Sequence, residues 1–238
     1  MGLFSVHNPE TDLTLSLETA TRAGSLALLR GPHVIASSTG VADESHSVNL
    51  LAQIESLLTN AGVGLRDIQL FATAAGPGSF TGLRIGLATI KAFAATFKRA
   101  CVGVPTLAAI ALAGGISPET CALLPAGRGE VFAQLFRVEA GNLVTPLSEA
   151  EHLPPQLLLE RFGEKHELHF AGPGAQLYVS LIEERAGWTL APESQLLAEQ
   201  VALLALQQAS DNDLHGAEDL HAIYVRPSDA ELNSHVKG

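Results

Sequence analysis

The chain has 238 residues, long for one compact core and suited to two lobes of about 100–120 residues each. Apolar residues make up 47% and charged residues 16%, which excludes bulk disorder. Acidic residues outnumber basic ones 25 to 14, a net charge of −11, which makes the chain a poor candidate for tight nucleic-acid binding on its own, a local basic patch aside: neutralised phosphates supply most of such affinity.

The first twelve residues have neither a basic start nor an apolar stretch, so they do not read as a signal peptide. Leu13–Leu17 alternates apolar and polar residues as a strand does, and Ser25–Arg30 and His33–Ser38 read as two more, joined by a tight turn at Gly31-Pro32. Leu50, Leu51, Ile54, Leu57 and Leu58 then fall on one helical face, with Ser45 or Ser47 as N-cap and Gly62 as a stop. Ile68–Ala74 is a continuous apolar run, as in a strand covered on both faces. A glycine-rich turn follows, then a helix from about Phe80 to Lys98 and a strand at Cys101–Val104.

The second half repeats the order. Thr120–Pro125, Val131–Val138 and Leu143–Leu147 read as strands, Pro154–Phe162 as a helix, Glu167–Ala171 as a strand, and Gln176–Arg185 and Leu196–Gln208 as helices. Three meandering strands followed by helix-linked parallel strands, twice over, predict a duplicated ribonuclease-H-like α/β fold with two lobes. The boundaries expected are a polar extension 1–10, an N-terminal lobe 11–105, a C-terminal lobe 106–220 and an irregular tail 221–238. Cys101 and Cys121 sit in apolar surroundings and read as buried, reduced thiols, which with the lack of a membrane-length apolar helix points to the cytoplasm.

Gly76-Pro77-Gly78-Ser79-Phe80-Thr81-Gly82-Leu83-Arg84-Ile85-Gly86 carries the most information. Its glycines permit positive φ, and the free N–H groups of a helix start can hold an anion, with Glu18, Thr19, Gly78, Ser79 and Arg84 as the residues for a nucleotide or anion contact. The segment lacks the lysine of a Walker-type loop and the spacing of a dinucleotide fingerprint. A plain turn with Ser79 capping the helix competes with the anion reading. Gly82 and Gly86 share one helical face with Thr89 and Phe93, and each helical glycine costs about 1 kcal/mol relative to alanine, which implies that another backbone comes close. Leu83, Leu87 and Ile90 make the helix apolar nearly all round, so it lies inside the domain or meets both a sheet and a partner.

Leu17–Thr21, His46-Ser47 with Leu50-Leu51, Gly76–Gly86, Val102–Leu107, Gly129–Phe132 and Tyr224–Pro227 together resemble the TsaB (YeaZ) family over almost the whole chain. The resemblance implies a fold of the actin, sugar-kinase and Hsp70 type. It also implies a non-catalytic role in making threonylcarbamoyladenosine next to the tRNA anticodon. The partners it implies are the transferase TsaD, the ATPase TsaE through TsaD, a second copy when alone, and tRNA only within the complex, with no membrane. The interface set it implies is Ser47, Leu50, Leu51, Ile54, Gly82, Leu83, Ile85, Gly86, Thr89 and Phe93, and Gly86→Trp is then expected to abolish pairing while the monomer stays folded. No tightly bound cofactor and no metal are implied, and ATP or ADP at the subunit junction stays open.

None of the nine histidines forms the His-x-x-x-His pair that holds the transferase's metal. Where relatives carry an acid in the second lobe, this chain reads Leu124-Pro125-Ala126-Gly127-Arg128. An ATP-dependent small-molecule kinase of the same fold, using Glu18 and Glu130, is the competing function; a homodimeric structural protein is a third.

Overall fold

The computed structural model describes residues 8, 10–40, 46–210, 214 and 216–225. The chain starts as an antiparallel meander, β1 (Leu13–Glu18), β2 (Ser25–Arg30) and β3 (His33–Thr39). After α1 (His46–Asn60), β4 (Leu70–Gly76) joins β1 in parallel; after α2 (Phe80–Phe97), β5 (Ala100–Pro105) joins β4 in parallel. The sheet order is β3-β2-β1-β4-β5. Parallel neighbours require a crossover, and the two helices supply it.

The second half uses the same plan. Helix α3 (Thr106–Ala113) leads to the meander β6 (Ser117–Gly127), β7 (Glu130–Glu139) and β8 (Leu143–Pro146), with β9 (Glu151–Leu153) folding back on β7. After α4 (Pro155–Phe162), β10 (Leu168–Ala171) joins β6 in parallel. The short helices α5 (Pro173–Gln176) and α6 (Val179–Glu183) lead to β11 (Trp188–Leu190), parallel to β10. The order β8-β7-β6-β10-β11 repeats that of the first sheet, so the duplicated fold expected from the sequence is present. The helix expected over Gln176–Arg185 is two pieces, broken where Tyr178 leaves helical geometry at φ −125° and ψ 27°.

The lobe boundary needs correction. Helix α7 (Leu197–Ser210) does not belong to the second sheet: Ala198, Val201, Ala202 and Ala205 are fully buried in the first core. Two hydrogen bonds fix its start there, Ser16 Oγ donating to Ala198 O (2.7 Å) and Ala198 N donating to Ser25 Oγ (2.9 Å). Small side chains let the helix axis come close to the strands, which a leucine face would prevent. Leu220 is also in this core, so 106–220 is not one lobe. Helix α3, absent from the sequence expectation, packs on α7 and places Leu107, Ile110 and Ala111 in the core beside the second sheet.

Cys101 and Cys121 are buried and free, as the composition implied. Burial, with the Glu218 carboxylate nearby, pushes the Cys101 thiol up to about 11, and burial alone raises Cys121 further. Neither is a thiolate at neutral pH. Among the described residues no helix is long and apolar enough to cross a membrane.

Candidate functional site

The end of β4 turns through Gly76, at φ +125°, into a cis Gly76-Pro77 bond. A Cβ at Gly76 would collide with the carbonyl of Ile223, whose N–H donates to Ala75 O (2.7 Å), so the C-terminal segment lies against the turn. Ser79 N donates to Ala20 O (2.8 Å), and Ser79 Oγ accepts from Gly82 N (3.2 Å) as the N-cap of α2. Two of the donors that a phosphate loop would present are thus used inside the chain. Ser79→Ala is expected to cost about 1 kcal/mol through loss of the cap, read as a lower urea midpoint with unchanged slope.

What approaches the glycines of α2 is the chain's own, backbone at Gly82 and side-chain hydroxyls at Gly86. A Cβ on Gly82 would overlap the carbonyl oxygen of Thr19, and Thr19 Oγ1 donates to Gly82 O (2.8 Å). A Cβ on Gly86 would overlap Thr19 Oγ1 and come within 2.9 Å of Thr73 Oγ1. Gly82, Leu83 and Gly86 are therefore buried against the first sheet, not turned to a partner, and Leu50 and Ile54 of α1 are buried likewise. This corrects the interface set: these five are interior residues. The side chain of Ser47 lies outside those described.

The remaining members do reach the surface. Leu51 is 63% exposed, and Ile85, Thr89 and Phe93 are half-buried. Thr89 Oγ1 donates to Ile85 O (2.8 Å), which hides its polarity on an apolar face. Phe93 packs on Phe71 of β4 (centroids 5.7 Å apart) and also lines a groove of about 370 Å³ with Leu51, Ile54, Leu58, Val63 and Leu65. Between Ile85 and the far end of α2, Ala88, Ala92 and Ala95 are exposed at spacings of four and three, the outward face of the helix. Sequence reasoning passed over these alanines because the glycines drew the face a third of a turn away. The signal was there: small residues recurring at helical spacing opposite Leu83, Leu87 and Ile90.

The anion set separates too. Glu18 is 1% exposed, with Oε1 accepting from Thr21 N (2.7 Å) and Oε2 accepting from Thr21 Oγ1 (2.6 Å), so its carboxylate ties the β1–β2 turn. Thr19 is buried beneath α2, and Gly78 lies against Ala20, where a Cβ would come within 2.6 Å of the Ala20 Cβ. Only Ser79 and Arg84 of this set are exposed. Thr21→Val, which removes a donor from a buried carboxylate, should cost about 1–3 kcal/mol in urea unfolding. In the second lobe, Glu130 Oε2 lies 2.9 Å from His152 Nε2. His169 uses both ring nitrogens, with Nδ1 2.8 Å from Thr189 Oγ1 and Nε2 3.0 Å from Gly114 O. It is a structural link between α3 and two strands.

A family model for TsaD, the tRNA N6-adenosine threonylcarbamoyltransferase, matches residues 33–209. The tRNA threonylcarbamoyladenosine biosynthesis protein TsaB of Escherichia coli K12 is 31% identical, over 89% of this chain and 94% of its own length. The chain belongs to the TsaB family. The TsaB of Bacillus subtilis 168 is 28% identical, over 91% of this chain and 95% of its own length. The solved structure of YeaZ from Pseudomonas aeruginosa superimposes with a TM-score of 0.75 at 26% identity, covering 90% of this chain and all (100%) of that one. The similarity to TsaB thus spans both sheets, and the fold is that of the actin and Hsp70 type.

Proposed function

We propose that this chain is a non-catalytic subunit of threonylcarbamoyladenosine biosynthesis in the cytoplasm. It pairs with the TsaD transferase, and through it with TsaE, and meets tRNA only inside that assembly. The observation that carries the reading is the outward face of α2 with Leu51 of α1: exposed Leu51 and the alanines Ala88, Ala92 and Ala95 make an apolar surface on a strongly acidic chain. The match to a TsaD family model supports a paralogous partner of the same architecture, whose corresponding helices would pack against these. In isolation the same face brings two copies together. A nucleotide, ATP or ADP, belongs in this reading to the junction with the partner.

The kinase alternative needs two free acids in a cleft. Both named acids are engaged, Glu18 with Thr21 and Glu130 beside His152, and this favours the subunit reading. The reading is tested by gel filtration of the chain mixed with the cognate TsaD. Co-elution as one complex is expected, and separate elution at micromolar concentrations would overturn the pairing. ATP turnover by the purified chain alone, lost in Glu18→Ala, would instead favour the kinase.

A further inference from the structure

At the N-terminal end of α2, three side chains form a surface that the fold does not explain. Arg84 lies four residues after Phe80, and its guanidinium carbon stands 3.7 Å from the Phe80 ring centroid. Tyr224 also packs on Phe80, with ring centroids 6.1 Å apart and the rings tilted by 39°. Phe80 is 38% exposed and Tyr224 49% exposed, so the cluster seals no core. Nor is Tyr224 needed to hold the C-terminal segment, which is fixed by the Ile223 N to Ala75 O bond and by buried Leu220.

The charge on Arg84 is the telling part. Acids outnumber bases 25 to 14, yet among the described residues no carboxylate pairs with Arg84. Stacking on Phe80 occupies one guanidinium face and holds the fork in a defined plane, leaving the in-plane N–H donors for an acceptor from outside. An arginine pre-ordered on aromatic rings is the composition of a binding hot spot. It lies four residues, about one turn, before the exposed Ala88, so it continues the outward face of α2.

We propose that Phe80, Arg84 and Tyr224 form an anchor that receives a carboxylate side chain of the partner protein. This extends the apolar α2 contact with one oriented ion pair and sets the register in which the helices meet. The inference rests on the pairing reading. A protein carboxylate is favoured over RNA because the chain's −11 net charge opposes a polyanion, whereas one isolated carboxylate needs only one arginine.

The test is the dissociation constant for the cognate TsaD at several ionic strengths, for the unaltered chain, Arg84→Glu, Arg84→Lys, Phe80→Ala and Tyr224→Ala. Arg84→Glu should weaken binding by at least about tenfold and abolish its salt dependence. Arg84→Lys should recover part of the loss, because it keeps the charge without the fork. The aromatic variants should each weaken binding by about threefold or more. Arg84 is exposed, so the thermal midpoint should not move. Binding within twofold of the unaltered chain with the same salt slope overturns the proposal. So does a loss confined to tRNA or nucleotide retention, or to self-association, with TsaD affinity unchanged. An Ala88→Trp control separates the two claims: if it blocks TsaD and Arg84→Glu does not, only the anchor fails. If the unaltered chain does not bind TsaD, the pairing reading itself fails and takes the anchor with it.

Discussion

Gly82→Ala should destabilise the first lobe by about 2–3 kcal/mol, although alanine is the better helix former. The added Cβ would overlap the carbonyl oxygen of Thr19, a backbone atom at the end of a buried strand. A side chain could rotate away; this oxygen can move only if β1 or α2 moves. Alanine regains about 1 kcal/mol of helix propensity, which does not offset displacement of a helix whose whole inner face is buried. Gly86→Ala is the milder case, because Thr19 Oγ1 and Thr73 Oγ1 are side-chain atoms with some room to rotate, and its net cost should be about 1 kcal/mol. Gly86→Trp has no such relief. It should separate α2 from the sheet and abolish cooperative unfolding, reversing the sequence-based expectation of a folded monomer that cannot pair. Urea titrations followed by circular dichroism and fluorescence check all three. A folded Gly86→Trp monomer would show that the glycine face is not packed on Thr19 and Thr73.

Ala88→Trp should do what was expected of the glycine position. Ala88 is exposed on the outward face of α2, so the indole meets solvent in the free monomer and the fold should survive, with stability changed by no more than about 0.5 kcal/mol. Between two closely packed helices, an indole in place of a methyl group forces the axes apart and breaks the contacts around it. Association with TsaD should fall by at least about 100-fold, a loss of about 2.7 kcal/mol or more. Self-association should fall with it if both partners use this face. Sedimentation velocity of the variant alone and with TsaD reads both effects. Unchanged association would move the docking surface away from α2.

The fold was legible because its signals are periodic. Alternation in Leu13–Leu17, the apolar run of β4, and the strand-strand-strand-helix-strand order in both halves are local patterns, and each appears as a paired strand or helix. Helix α3 was missed because Thr106–Ala113 is apolar on every side, so it shows no amphipathic period. The home of α7 was missed for a different reason. Nothing local says which sheet an alanine-rich helix will cover; the hydrogen bonds to Ser16 and Ser25 span 182 and 173 residues.

The candidate site was half legible. Gly82 was correctly read as marking the close approach of a backbone, whereas Gly86 meets the side-chain hydroxyls of Thr19 and Thr73; sequence spacing cannot say whose backbone approaches Gly82. Thr19 supplies it, from a turn sixty-three residues earlier. Once the glycine face is turned inward, helical geometry sends Ala88 and Ala92 outward, and the surface named from the glycines moves round the helix. Glu18, an acid at a strand end, could be read from the sequence either as a cleft acid or as a carboxylate binding the turn at Thr19–Ser25; the folded turn shows the second, with Thr21 as the partner and the carboxylate buried.

The most direct test of the central claim is reconstitution of threonylcarbamoyl transfer to tRNA from purified TsaD and TsaE, supplied with threonylcarbamoyl-adenylate, with and without this chain. Robust transfer is predicted only when the chain is present. The Ala88→Trp variant, folded but unable to pair, should not restore it, whereas Glu18→Gln and Glu130→Gln variants that remain folded should. Full transfer without the chain, or activity lost in folded acid variants that still bind TsaD, would contradict a non-catalytic subunit acting through its α2 face.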